Sequence, residues 1–210
     1  MKKYTKPLLG IGCWIIFAIF LKGVQDSASW INQLDQWGYQ LLQPTTTIRT
    51  RIFTIITHLG DPMVLLPLSL LVLVVFWWRH HLTRGLRFAG LSIIGYLLVI
   101  IVKYSIQRAR PDHKLIPAQG FSFPSGHTFA TTVFVLEIVA LLWHYLKKHW
   151  QQIIAVIIAG VWIVLVMASR VYLRNHFTSD VLAGLCLASG WWLLITAALS
   201  RFASHEEIGS

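Results

Sequence analysis

The chain is 210 residues long, 56% hydrophobic and only 12% charged, with a mean hydropathy of +0.63, which excludes an ordinary water-soluble domain. Its net charge of +10 is dispersed over loops on both sides of the apolar segments, so it does not build the single basic face that nucleic acid requires. Anionic lipid is the partner this pattern fits.

Stretches nearly free of charge run over residues 8–21, 63–78, 88–102, 128–145, 153–168 and 181–200. With a few flanking polar or aromatic residues each reaches the roughly 20 residues that span a bilayer as a helix. The expected fold is therefore all-α: an integral membrane bundle of six transmembrane helices, in one membrane-embedded domain over residues 1–210, since no repeat or long linker divides the chain. The first stretch, with its basic start and Ser27-Ala28-Ser29 after it, also has the outline of a cleavable signal peptide. It is read as an uncleaved anchor, because removing it would leave five spans and move the C-terminus relative to the charge pattern.

Between spans one and two, Trp30, Ile31, Leu34, Trp37, Leu41 and Leu42 follow a helical period, with Asp26, Ser27 or Ser29 available to cap its start. An amphipathic helix over about residues 27–42 is expected, on the outer membrane surface or packed on the bundle. Basic residues divide equally when loops are assigned alternately to the two sides. Lys2, Lys3, Lys6, Arg79, Arg84, Arg87, Lys147, Lys148 and Arg201 lie on one side; Lys22, Arg49, Arg51, Lys103, Arg108, Arg110, Lys114, Arg170 and Arg174 lie on the other. The former set occupies short loops, whereas several members of the latter are read as chemically committed, which places both termini in the cytoplasm. Trp77, Trp78, Trp143 and Trp150 fit an aromatic belt at the inner ends. Cys13 and Cys186 fall inside spans and read as buried or lipid-facing thiols rather than a disulfide.

Span parity brings the end of span three, the start of four, the end of five and the start of six to one membrane face, and the polar clusters lie at those four points. Lys103, Arg110 and Arg170 supply three cations, and guanidinium matches phosphate oxygens with paired hydrogen bonds. Ser125, Gly126 and His127 precede an apolar helix, where a Ser cap, a close backbone approach at Gly126 and the helix dipole favour an anion. His176 and Asp180 are four apart on one helical face. Asp180 can hold the Nδ1 proton of His176, leaving Nε2 free to attack phosphorus, and His127 is then available as the acid for the leaving oxygen.

Lys103 followed by six residues and Arg110-Pro111, then Pro124-Ser125-Gly126-His127, then Ser169-Arg170, five residues, His176, three residues and Asp180 resembles the three-part signature of the type 2 phosphatidic acid phosphatase superfamily. That family includes bacterial lipid phosphatases of the phosphatidylglycerophosphatase B and undecaprenyl diphosphate phosphatase kinds, glucose-6-phosphatase and vanadium haloperoxidases. The resemblance implies a phosphohistidine on His176, oriented by Asp180. It implies His127 as acid and later base, with Lys103, Arg110, Arg170, Ser125 and Gly126 on the phosphate, and neither a metal nor another cofactor. The expected activity is hydrolysis of the terminal phosphate of phosphatidylglycerophosphate, undecaprenyl diphosphate or phosphatidic acid at the outer leaflet of a bacterial-type plasma membrane. A haloperoxidase-like oxidation is disfavoured by the compact membrane-embedded build. The rival outside enzymes is a lipid or phosphate transporter or scramblase, which a polar path through the bundle would favour; beyond Glu137 the spans offer few ionisable groups.

Several residues are read more plainly. Arg108, Lys114 and Arg174 either add positive potential or anchor at the interface, and Asp112 and His113 either support the first motif or belong only to its loop. His58 with Gly60-Asp61-Pro62 reads as structure, and His80-His81 as a solvated pair. Glu137, about 15 Å below His127 along a helix, is expected to bond to a neighbouring helix. The sequence does not fix the oligomeric state or rank the lipids.

Overall fold

The structure, a computed structural model, describes residues 4–143 and 145–206, with side chains described as far as Ser200. Lys2 and Lys3, and the side chain of Arg201, which enter the charge asymmetry, lie outside the described residues. The described residues form eight helices in order: α1 (Thr5–Gln25), α2 (Ser29–Leu41), α3 (Thr47–His58), α4 (Pro62–Trp78), α5 (Leu82–Ile106), α6 (Gly126–Trp143), α7 (His149–Tyr172) and α8 (Thr178–Glu206).

Six segments are long and apolar enough to cross a membrane: α1, the α3–α4 run Thr47–Trp78, α5, α6, α7 and α8 as far as Ser200. They lengthen the expected spans wherever a cation had marked an end. Helix α5 begins at Leu82 and carries Arg84 and Arg87 in its first turns, because long basic side chains keep their heads in the interface while their stems lie along the helix. The second span is broken at residues 59–61. There Asp61 caps α4, accepting from the Met63 amide at 2.9 Å, and Pro62 stands at the first turn, where its missing N–H costs no hydrogen bond.

Helix α6 is the axle. It packs against α4, α5, α7 and α8, and nearly every residue from Gly126 to Val135 is buried. Phe129 and Val133 of α6 join Phe17, Leu91, Val99, Phe123, Ala183 and Leu187 in the largest apolar cluster; Leu65, Phe88, Ala130 and Phe134 form a second. By contrast Ile153, Ile157, Val161 and Val164 of α7, Leu70, Leu71 and Val74 of α4, and Leu8, Ile15 and Ile19 of α1 are exposed, as expected where lipid completes the packing. Close approach of α8 to α6 depends on Gly184, where a Cβ would stand 2.8 Å from the Ser125 carbonyl oxygen.

The expected amphipathic helix is α2. Its Ile31, Asp35 and Gly38 are buried, spaced to form one ridge, and that ridge packs on α1, α7 and α8. Trp30, Trp37 and Leu41 face outward. Docking is tight, since a Cβ on Gly38 would overlap Thr178 of α8. Cys13 and Cys186 are free thiols.

Candidate active site

The end of α5, the start of α6, the end of α7 and the start of α8 meet at one end of the bundle, joined there by the 107–125 loop. The Ser125 amide donates to the Asp180 carbonyl at 3.0 Å, and the Leu115 amide to the Leu173 carbonyl at 3.1 Å. These bonds bring the three sequence clusters into one site.

Past α7 the chain turns sharply. Leu173, Asn175 and His176 donate their amides to the Ser169 and Arg170 carbonyls, while Arg174 takes a left-handed backbone with φ 57°. This turn presents His176, 2% exposed, at the mouth of α8. The Nη1 of Arg110 lies 3.1 Å from His176 Nε2. A guanidinium only donates, so this contact is a hydrogen bond in the tautomer whose Nε2 carries the lone pair and whose proton sits on Nδ1. The nearest carboxylate oxygen to Nδ1 is Oδ2 of Asp180 at 3.4 Å, just past good hydrogen-bond length, and Nδ1 has no closer partner among the described residues. Catalytic contacts of this kind are commonly long before substrate binds. Burial first, then Arg170, Lys103 and Arg110, hold the imidazole well below its ordinary pKa. His176 is neutral.

The cations are positioned by backbone carbonyls as much as by acids. Lys103 Nζ donates to the Phe121 and Ser122 carbonyls at 2.8 and 3.3 Å. Arg110 reaches the Gln119, Gly120 and Asn175 carbonyls. Arg170, 4% exposed, donates from Nη1 to Thr57 Oγ1 of α3 at 2.8 Å, and its Nε is buried without a partner among the described residues. With the Asn175 amide oriented to suit its neighbours, its oxygen accepts from Arg170 Nη2 at 3.2 Å. Ser125 Oγ caps α6, accepting from the Thr128 amide at 3.4 Å, so the hydroxyl serves the helix in this state. Gly126 lies under the Tyr96 hydroxyl, where a Cβ would approach to 3.0 Å. His127, on the first turn of α6, makes no side-chain hydrogen bond among the described residues, and Arg170, His176, Arg110 and Lys103 stand around it.

A network unseen in the sequence supports this group. Arg108 donates to Asp180 Oδ1 at 2.6 Å and to Asp35 Oδ2 at 2.7 Å, and its guanidinium stacks 4.1 Å from the Phe177 ring centroid. Asp35 of α2 also accepts from the Ser179 amide at 2.8 Å and the Ser179 hydroxyl at 3.0 Å. The other oxygen of Asp180 accepts from the Phe177 amide at 2.9 Å. Arg108 is thus neither a free cation nor a membrane anchor; two buried acids neutralise it. Asp35 was hidden in the polar stripe of an amphipathic helix, and only its spacing from Ile31 and Gly38 marks the buried ridge. Thr57 carried no signal at all. Among the described residues Lys114 hydrogen-bonds the Ala118 carbonyl alone, at 3.4 Å, and Glu137, at 3% exposure, accepts from Trp192 Nε1 of α8 with Arg87 Nη2 4.0 Å away.

The arrangement puts a neutral, nucleophilic imidazole nitrogen against a cluster of cations fit for a phosphoryl group. Comparison with known proteins agrees. The model of the PAP2 superfamily matches residues 84–203. Phosphatidylglycerophosphatase B of Bacillus subtilis is 39% identical over 140 residues, covering 65% of this chain and 68% of that protein. A lipid A 1-phosphatase of Rhizobium etli is 32% identical over 136 residues, covering 60% of this chain and 51% of that protein, so the match spans about half of it. Among solved structures, the transmembrane PAP2-type phosphatidylglycerolphosphate phosphatase from Bacillus subtilis superposes with a TM-score of 0.81 at 29% identity, covering 91% of this chain and 96% of that one. LpxE of Aquifex aeolicus shares the fold, with a TM-score of 0.56 at 23% identity over 76% of this chain and 92% of that one. The chain belongs to the PAP2 superfamily, as a multi-pass membrane enzyme that groups with the lipid phosphatases of that family.

Proposed function

We propose that the chain, as one membrane-embedded catalytic domain, removes the terminal phosphate of a lipid at the outer leaflet of the plasma membrane, with both termini in the cytoplasm. Phosphatidylglycerophosphate is the first substrate, because the relatives with the widest coverage carry that activity in their names; undecaprenyl diphosphate and phosphatidic acid follow.

The observation that carries the mechanism is the 3.1 Å approach of Arg110 to His176 Nε2. A cation facing the lone pair of a buried imidazole marks where a phosphate oxygen fits beside the nucleophile. Arg110, Lys103 and Arg170 bind the phosphoryl oxygens, joined by the amides at the start of α6 around Ser125 and Gly126. Nε2 attacks phosphorus in line, the P–N bond forms as the P–O bond to the lipid breaks, and His127 gives its proton to the departing oxygen. Asp180 stabilises the imidazolium that develops on His176. In the second half His127 takes a proton from water, the hydroxide attacks phosphorus, and inorganic phosphate leaves as Nε2 recovers its lone pair. Preorganised positive charge is the main source of acceleration, and the reaction calls on no metal.

The test is inorganic phosphate release by purified protein in detergent with chelator present, from the three lipids, beside His176→Ala and His127→Ala. Release that both substitutions abolish is the expected result. A folded protein that binds lipid but releases no phosphate from any of the three would overturn the proposal in favour of transport.

A further inference from the structure

A cavity of about 400 Å³ opens beside His176, walled on one side by α2 and on the other by the turn after α7. At about 30 Å³ per water, that is room for roughly a dozen waters, far beyond one phosphoryl group. Asn32, Asp35, Gln36 and Tyr39 line it from α2, Asp35 with its charge met by Arg108, and Arg174 and His176 line it from the turn. Two of the cations nearby are occupied: Arg108 by two aspartates and Arg110 by carbonyls and His176.

Arg174 is different. It pairs with no carboxylate among the described residues. Its Nη1 reaches only the His113 carbonyl at 3.5 Å, and its Nε is buried with no partner among the described residues. The guanidinium is held 4.9 Å from the Tyr39 ring centroid, a stack that fixes its direction without neutralising it. Its backbone lies at φ 57°, a conformation in which glycine is the unstrained residue and an arginine carries a steric cost. Asp112 on the same cavity is exposed, where water and salt screen it.

Resting on the phosphatase reading above, we propose that Arg174, stacked on Tyr39, forms a second anion subsite that takes a further phosphate group in the lipid headgroup, beyond the one His176 attacks. Asn32 and Gln36, one turn apart on the same face of α2 as Tyr39, offer neutral hydrogen bonds to hydroxyls between the two phosphates. Two headgroup chemistries meet this description: a diphosphate, and two phosphates bridged by glycerol. Phosphatidic acid, with one phosphate, does not engage Arg174.

The test compares kcat/KM of the wild-type protein with Arg174→Gly and Arg174→Lys on phosphatidylglycerophosphate, undecaprenyl diphosphate and phosphatidic acid. Glycine removes the guanidinium while suiting the backbone, so the thermal midpoint in detergent stays level or rises. The expected result is a loss of about tenfold or more, carried by KM, on at least one of the two-phosphate lipids, as one charge-assisted contact would give, against a change under about threefold on phosphatidic acid, with lysine recovering part of the loss. Which two-phosphate lipid suffers identifies the headgroup. An equal loss on all three lipids, or none on any, would overturn the subsite while leaving the phosphatase reading standing. A wild-type protein inactive on all three would overturn both.

Discussion

Among the described residues three carboxylates are buried, Asp35, Glu137 and Asp180, and the surroundings of the last two could hardly differ more. Asp180, fully buried, receives Arg108 at 2.6 Å and the Phe177 amide at 2.9 Å, and stands 3.4 Å from His176. Glu137, at 3% exposure, has a tryptophan N–H and an arginine 4.0 Å away that is itself half-exposed. Burial of an acid is costly in both places. Only at Asp180 do independent segments, the 107–125 loop, the α7–α8 turn and, through Asp35, α2, converge to hold the charge in one geometry. On the proposed mechanism, the contrast separates an acid that belongs to a chemical apparatus from one that ties two helices together.

The sharpest way to probe the contrast is Asp180→Asn, which keeps the size and loses the charge that steadies an imidazolium. Phosphate release should fall by about 10³-fold in kcat, read by single-turnover kinetics, with the fold retained by circular dichroism. Arg108→Ala comes next. It strands two buried aspartates, so stability should drop by about 3 kcal/mol, visible as a lower thermal midpoint, and activity should go with it. Asp35→Asn is milder: it weakens three hydrogen bonds without stranding a second acid, for about 1–2 kcal/mol. The pH profile sharpens the same point. His176 is held well below its ordinary pKa by burial and by Arg170, Lys103 and Arg110. Its reactive neutral form therefore persists as pH falls, and the acid limb of kcat/KM should lie below the usual histidine value of about 6.5, moving upward in Lys103→Met. Glu137→Gln should do least, because an amide oxygen still accepts from Trp192: a change of under about 1 kcal/mol and phosphate release near wild type. A large loss of activity there would dissolve the distinction between the two acids.

Much of this architecture is legible in the sequence alone, for a physical reason. Apolar runs announce spans, and their alternation carries Lys103, Arg110, Ser125, Gly126, His127, Arg170, His176 and Asp180 to one end. Helix limits are less legible, since Arg84 and Arg87 interrupt an apolar run without interrupting the helix. Least legible are the supporting residues. Asp35 and Thr57 sit on α2 and α3, outside every motif, and their partners Arg108 and Arg170 lie 73 and 113 residues away. Such pairings arise from packing, which no local pattern encodes.

The outward face of α2, with Trp30 41%, Trp37 58% and Leu41 64% exposed, has a kinetic corollary. Tryptophan settles at the boundary between headgroups and acyl chains, so on the proposed membrane placement the helix that walls the cavity would also set the depth at which it opens. On the proposed function, a lipid would reach the site by sliding within its own leaflet, without leaving for water. Turnover should then track the mole fraction of substrate in a micelle or vesicle, and diluting it with inert lipid at constant bulk concentration should slow the enzyme as surely as removing substrate does.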